Sequence, residues 1–256
     1  MTLNTRHFRK TIVLFLFIQA IWNPVWAEDV AAVPHPASAW IVSPLIGWAQ
    51  NEDLKTGAAD SSPEYGFFAM YATPRFIVNN TMFFTDVNNS EVWGNISSFG
   101  LYGDPKARLT WYLGGSYVWH QINIEAAQMK MTITEPLGKI GVVWRIPSKH
   151  LSINPYIGYA QETVRTEKPA FMGGNSRNRS DIAVYGVSAY WHWRMFGADA
   201  KYYLSQDMDH DTFNHHFRVW GTAMFSPKVG VIARFEYEEQ NTTKDTSLLV
   251  GPVFVF

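Results

Sequence analysis

The residues that could do chemistry in this chain are few and scattered. His150-Leu151-Ser152-Ile153-Asn154 sets an imidazole, a hydroxyl and an amide at alternate positions. A base beside a nucleophile is the minimum for acyl transfer, but such groups must converge in space, and spacing alone does not bring them together. Ser188 and His192 are four residues apart, and at about 3.3 Å per residue of extended chain they cannot share a proton. Asp207-Met208-Asp209-His210-Asp211 alternates carboxylates that could gather a divalent cation. It lacks the glycine of a calcium loop, and Arg218 stands where the closing glutamate would be. Asp207, Asp209 and Asp211 are therefore expected to form a solvated acidic tip with at most weak cation affinity. No cofactor is implied. With no cysteine in the chain, thiolate ligands, thiol nucleophiles and disulfides are excluded.

These side chains must be carried by strands. From Lys228 the sequence reads KVGVIARFEYEE, with Val229, Val231, Ala233, Phe235 and Tyr237 alternating with Gly230, Ile232, Arg234, Glu236 and Glu238. Successive strand residues point to opposite faces, so one face is apolar and the other largely polar. The same two-faced pattern recurs around 108–120 and 213–225. The rule places twelve strands at 39–49, 64–73, 75–87, 91–103, 107–122, 129–146, 151–164, 181–194, 197–206, 213–225, 228–239 and 246–256. Tight turns such as Thr73-Pro74-Arg75 and Ser226-Pro227-Lys228 alternate with longer polar connections such as QNEDLKTGAADSSP and TEKPAFMGGNSRNRS. Short turns on one rim and long loops on the other are the pattern of an outer-membrane barrel. Trp40, Trp48, Trp93, Trp111, Trp119, Trp144, Trp191, Trp193 and Trp220 sit near strand ends and suit an aromatic girdle better than a sandwich core.

The N-terminal region agrees. Arg6, Arg9 and Lys10 precede an apolar run, Pro24 and Val25-Trp26-Ala27, which has the order of a cleaved secretory signal. The expected organisation is a signal peptide at 1–27, a short periplasmic segment at 28–38 and a barrel at 39–256. No later stretch is apolar and long enough for a helical span. A net charge of −1, falling by three without the signal, argues against nucleic acid as a partner.

The closing residues SLLVGPVFVF carry Leu248, Val250, Phe254 and Phe256 at alternate positions. This resembles the last strand of Gram-negative outer-membrane β-barrel proteins, which ends in Phe. The resemblance implies that Phe254 and Phe256 form an assembly signal read by the barrel-assembly machinery, and that outer-membrane lipid and lipopolysaccharide surround the protein. Pro252 departs from the pattern. The 150–154 stretch is similar to the His-x-Ser and downstream Asn of outer-membrane phospholipases. Those enzymes attack lipid from the outward face, however, and alternation puts His150 and Ser152 on the inner face beside a tight turn. The Asp-His run is similar to part of the site of omptin-type proteases, with no second acidic set to complete it.

In a closed, all-β antiparallel barrel the polar face becomes the lumen. Alternation assigns to it Arg75, Arg108, His120, Glu135, Lys139, Arg145, Glu162, His192, Arg194, Asp199, Lys201, His216, Arg218, Arg234, Glu236 and Glu238, with an overall basic excess and the ionisable groups concentrated from the sixth to the eleventh strand. Arg108, Lys139, Glu162, Arg194, Lys201, Arg218, Arg234 and Glu236 are the candidates for selectivity. Arg177 and Arg179 would enter the lumen if their loop folded inward. The expected function is a small, porin-like diffusion channel for small polar or anionic solutes, and not an enzyme. The alternative is a filled, non-conducting barrel with a structural or surface role, like a solitary autotransporter-type barrel; an outer-membrane lipid hydrolase or protease ranks below both.

Overall fold

The computed structural model describes residues 38–87, 90–124, 127–169, 174–210, 212–240 and 242–256. The expected signal peptide, nearly all of the 28–38 segment, Gly173 and Asp211 lie outside the described residues. Twelve strands follow one another: β1 (Ala39–Asp53), β2 (Ala59–Ala72), β3 (Phe76–Val87), β4 (Ser90–Tyr102), β5 (Leu109–Ile124), β6 (Met129–Ile146), β7 (Leu151–Glu167), β8 (Ser176–Trp193), β9 (Phe196–Asp207), β10 (Thr212–Met224), β11 (Val229–Glu239) and β12 (Thr243–Val255). Each pairs antiparallel with its neighbours in sequence, and β12 pairs with β1, so the sheet closes on itself. Closure removes the two free edges that an open sheet would present to lipid.

The strand count matches the alternation pattern, but several strands outrun it. β2 begins at Ala59, β7 ends at Glu167 and β8 begins at Ser176, so most of the two long polar connections is strand. Polar composition misled here. A ladder that has left the apolar band continues in water with its backbone paired, and its polar side chains cost nothing there. One rim, the basal one, carries Ala39, Val255 and the tight turns; the other, distal rim ends in a collar of polar strand.

Short polar side chains close the turns. Thr73 Oγ1 accepts from the N–H of Phe76 at 2.9 Å, Asp104 Oδ1 from Lys106 at 2.9 Å and Ser226 Oγ from Val229 at 3.1 Å. At the distal rim Asp53 Oδ1 accepts from Lys55 and Thr56 at 2.8 and 3.1 Å, and Gly57 turns the chain at φ 69°. Such side chains replace the donors and acceptors that a reversing backbone loses.

Among the described strands, every buried residue apart from Thr163 and Gly115, the latter covered by the outward Phe99, faces the lumen. Trp40, Ile46, Trp48, Trp93, Trp111, Leu113, Ile140, Trp144, Ile157 and Tyr185 face outward and are exposed, Trp48 by 59% and Trp144 by 53%. This inversion of a soluble core is stable only in hydrocarbon. Trp220 corrects the expected girdle. It faces the lumen and packs against Phe68 of β2, ring centroids 4.8 Å apart, because its even position in β10 matches Arg218 and not Phe217.

Phe256 lies one residue past β12, where it and Trp40 exchange both backbone hydrogen bonds at 2.9 and 3.1 Å. Two glycines stand where β12 meets β1: a Cβ on Gly47 would lie 1.7 Å from Leu248 O, and one on Gly251 1.8 Å from Pro44 O. Gly47→Val should therefore prevent closure, seen as loss of the heat-modifiable band on gel electrophoresis. Gly138→Ala, whose Cβ would meet nothing within 4 Å, should migrate as the parent does.

Candidate functional site: the charged lumen wall

The lumen is layered along one wall. Cross-strand register puts Asp199, Trp220, Arg234 and Leu249 side by side on β9 to β12. The next row towards the distal rim is Lys201, Arg218, Glu236 and Ser247, and the one beyond is Tyr203, His216, Glu238 and Asp245. Alternation selects these positions, since all share the parity of the inward face.

The middle row settles its own charges. Lys201 and Arg218 are directly opposed, an unfavourable pairing of like charges. Glu236 answers it: one carboxylate oxygen takes the Arg218 Nε and the other takes the Arg234 Nη2. Arg234 is 1% exposed and lies over the Trp220 ring, 5.1 Å from its centroid. Its Nε and Nη1 have no hydrogen-bond partner. Ser247 donates to the buried Glu64 of β2, which adds a further carboxylate within electrostatic reach of Arg234. Across the lumen Lys139 of β6 lies over Tyr156 and Tyr112, at 5.2 and 5.9 Å, and within electrostatic reach of Lys201, Arg218 and Asp199.

Two apolar clusters flank these charges. Tyr112, Val143, Tyr156, Ala160, Ile182 and Val184 line the β5 to β8 side. Leu45, Phe68, Ile232, Leu249 and Val253 line the β11 to β2 side, with Trp220 packed against them.

The distal row holds a hydrogen-bonded chain that spacing did not suggest. Ser205 Oγ lies 2.9 Å from His216 Nε2, and His216 Nδ1 lies 3.4 Å from Glu238 Oε2. Tyr203 stacks on the imidazole at 4.2 Å and fixes its plane. The order hydroxyl, imidazole, carboxylate is that of a nucleophile relay. Ser205, however, is in an uninterrupted strand paired on both sides, with Val184 and Asn214. Its neighbouring N–H groups are spent in those ladders, so none points at a developing oxyanion.

The other predicted residues fall as follows. Arg75, Arg108 and Arg194 lie in exposed basal turns and not in the lumen wall; Arg194, at φ 55°, covers the outward Trp193 at 4.7 Å. Alternation failed there because a turn breaks the period of two. Arg145 is on the inner face, but its Nη1 donates to Asp104 O and Ala107 O at 3.1 and 2.9 Å, which ties the β4–β5 turn to β6. Arg177 and Arg179 belong to β8, exposed, on the parity of the outward Tyr185 and not in an inward loop. Glu135 and Glu162 face the lumen. His150, at φ 51°, ends the β6–β7 turn, while Asn154 lies against the backbone carbonyls of Val142 and Pro155.

Asp207 Oδ2 is 2.9 Å from His210 Nδ1, and its Oδ1 accepts from the N–H of Asp209 at 2.9 Å. Asp209 Oδ2 accepts from the N–H of Asp181 at 3.2 Å. These carboxylates shape a turn. Asn51 and Asp60 lie on the inner face but in 50–63, which reads as loop, and Asp245 lies one residue before the expected last strand; Glu64 opens the expected second strand, and extending the parity of Gly66 and Phe68 backward puts both it and Asp60 inside.

No protein-family model and no curated protein sequence matches the chain. Among solved structures, the translocator domain of the autotransporter NalP from Neisseria meningitidis is similar over 98% of this chain and 97% of that one, with a TM-score of 0.52 at 9% identity. The beta domain of the Bordetella autotransporter BrkA aligns over 85% of this chain and 99% of that one, TM-score 0.48, 12% identity. The NanC porin aligns over 82% and 98%, TM-score 0.48, 10% identity. The likeness to the NalP domain is one of fold; with the closed sheet and the outward apolar belt, it defines the class as an outer-membrane-type β-barrel.

Removing one partner of a buried ion pair costs about 3–5 kcal/mol, whereas an exposed pair is worth about 0–1 kcal/mol. Glu236→Gln should therefore lower the denaturant midpoint strongly, and Lys244→Ala, at the half-exposed pair with Glu52 (3.5 Å), hardly at all. At the distal rim the hydrogen bond that His210 donates to Asp207, reinforced by the carboxylate's charge, raises the His210 pKa above its ordinary value. The imidazolium form is thus favoured in the fold; its contribution is complete below the unfolded pKa and is lost as pH rises through the raised one. Asp207→Asn should bring the His210 NMR titration midpoint down.

Proposed function

We propose that this protein is a narrow outer-membrane channel, closed at rest by its own side chains, that passes small anions along the layer built by Lys139, Lys201, Arg218 and Arg234. One observation carries the reading: cations from β6, β9, β10 and β11 gather at mid-lumen, within reach of Asp199 and Glu236 as counter-charges. Rings of charge at close quarters set which ion enters. The Phe68 and Trp220 contact spans from β2 to β10 and narrows the path beside that layer.

A second reading, a filled barrel with a structural or surface role, is favoured by the 1% exposure of Arg234 and the 0% exposure of Leu249. The two readings part in a planar bilayer. The parent protein is expected to give rare small steps, the Phe68→Ala/Trp220→Ala variant larger ones, and Arg218→Glu to move ion preference away from anions. Silence from the assembled double variant would reject the channel in favour of the filled scaffold.

The enzyme reading is not adopted, because the Ser205, His216 and Glu238 chain has no oxyanion donors beside it. A fluorophosphonate probe should leave Ser205 unmodified. Covalent labelling that disappears in His216→Ala would overturn this.

A further inference from the structure

The contact between β12 and β1 is built unlike its neighbours. Trp40 and Phe256 form a hydrogen-bonded rung at its basal end. Such rungs recur at every second residue of an antiparallel ladder, so Val42 with Phe254, Pro44 with Pro252, and Ile46 with Val250 fall at the same kind of rung. Pro44 and Pro252 both lack an N–H, and both bonds of their rung are missing. Regular pairing stops at Val42 and Phe254 and resumes at Ile46 and Val250. About 13 Å of wall, three residues of each strand between the flanking rungs, thus has no ladder bond across it. The flanking ladders are continuous here: Ser43, Pro44 and Leu45 pair with β2, and Gly251, Pro252 and Val253 with β11. In the β6–β7 ladder Pro136 and Pro155 also interrupt pairing, but there each proline faces a residue that retains its N–H.

What lies on either side of the gap is apolar. Inside stand Leu45, Leu249 and Val253, backed by Phe68 and Ile232. Outside, Ile46, Val250 and Phe254 are exposed to the surroundings. Between them the one polar side chain is the Ser43 hydroxyl, which donates to Pro44 O at 3.2 Å. Gly251 lets the backbones touch there without bonding. Separating the strands at this point therefore breaks van der Waals contact and no ladder bond.

We propose that the β1–β12 seam is a lateral portal through which an acyl chain passes between the bilayer and the apolar cluster inside the barrel. The chemistry of the path selects the class of molecule: a charged or strongly hydrated solute would find no partner on either side of the gap, whereas a hydrocarbon chain replaces like contacts with like.

Because the chain has no cysteine, a disulfide can lock the seam cleanly. Ser43→Cys/Val253→Cys occupies a non-hydrogen-bonded pair, where Cβ atoms come within disulfide reach. The full barrel in phospholipid vesicles is photolysed with a diazirine-bearing palmitic acid, or in a second arm with a phospholipid bearing the same chain. Labelled peptides are then mapped by mass spectrometry. The expected result is label on the lumen residues Phe68 and Trp220 in the parent and in the reduced pair, falling roughly tenfold in the oxidised pair, with label on the outward Ile46 and Val250 unchanged. Label in both arms assigns membrane lipid as a source of the chain; label in the first alone assigns free fatty acid. Pro44→Val/Pro252→Val restores the rung and should also reduce lumen label. Lumen label equal in the locked and unlocked forms, or absent from the parent, overturns the portal. Ion conductance runs along the barrel axis, so its presence or absence leaves this outcome unaffected.

Discussion

Everything in this molecule follows from one constraint: a backbone in hydrocarbon must find its hydrogen bonds within itself. Twelve consecutive antiparallel strands meet that demand only when the last pairs with the first. The need for closure explains why bare backbone is required at Gly47 and Gly251, where β1 and β12 approach too closely for a Cβ. It also gives Pro44 and Pro252 their weight, since a missing donor in water is replaced by solvent and a missing donor in lipid is not.

Closure turns the usual core inside out and places the packing problem in the lumen. There, the charged residues do not form an even ring. The densest group occupies three adjacent rows on β9 to β12, where Glu236 holds two guanidinium groups and offsets the opposition of Lys201 and Arg218. The partner of Arg218, Glu236, lies directly opposite it on the next strand, so the arrangement needs no loop to complete it. Apolar clusters flank the group and Arg234 is 1% exposed, which raises both its attraction to Glu236 and the cost of disturbing it.

Much of this was legible in the sequence, because a period of two is a property of single strands and survives without tertiary knowledge. Arg218, Arg234 and Glu236 could be placed on one face from KVGVIARFEYEE and its neighbour alone. The failures have equally local causes. Arg108 and Arg194 stand where a turn resets the parity, and Asp60 stands in a segment whose alanines and serines resemble a loop. Trp220 was grouped by residue type with the outward tryptophans although its position is that of Arg218. The Ser205, His216 and Glu238 chain depends on register across three strands, which no spacing along one chain encodes.

The Phe68 and Trp220 contact acts as a strut. A cylinder of paired strands is stiff along each strand but easily flattened across its section, because flattening only changes the angle between neighbours. A rigid chord from β2 to β10 resists that change in its own direction and leaves the perpendicular one soft. Lateral pressure from a crowded bilayer would therefore not squeeze the barrel uniformly: it would ovalise it along a fixed axis, and the wall between the strut's two ends, which contains the β1–β12 contact, would bear the curvature.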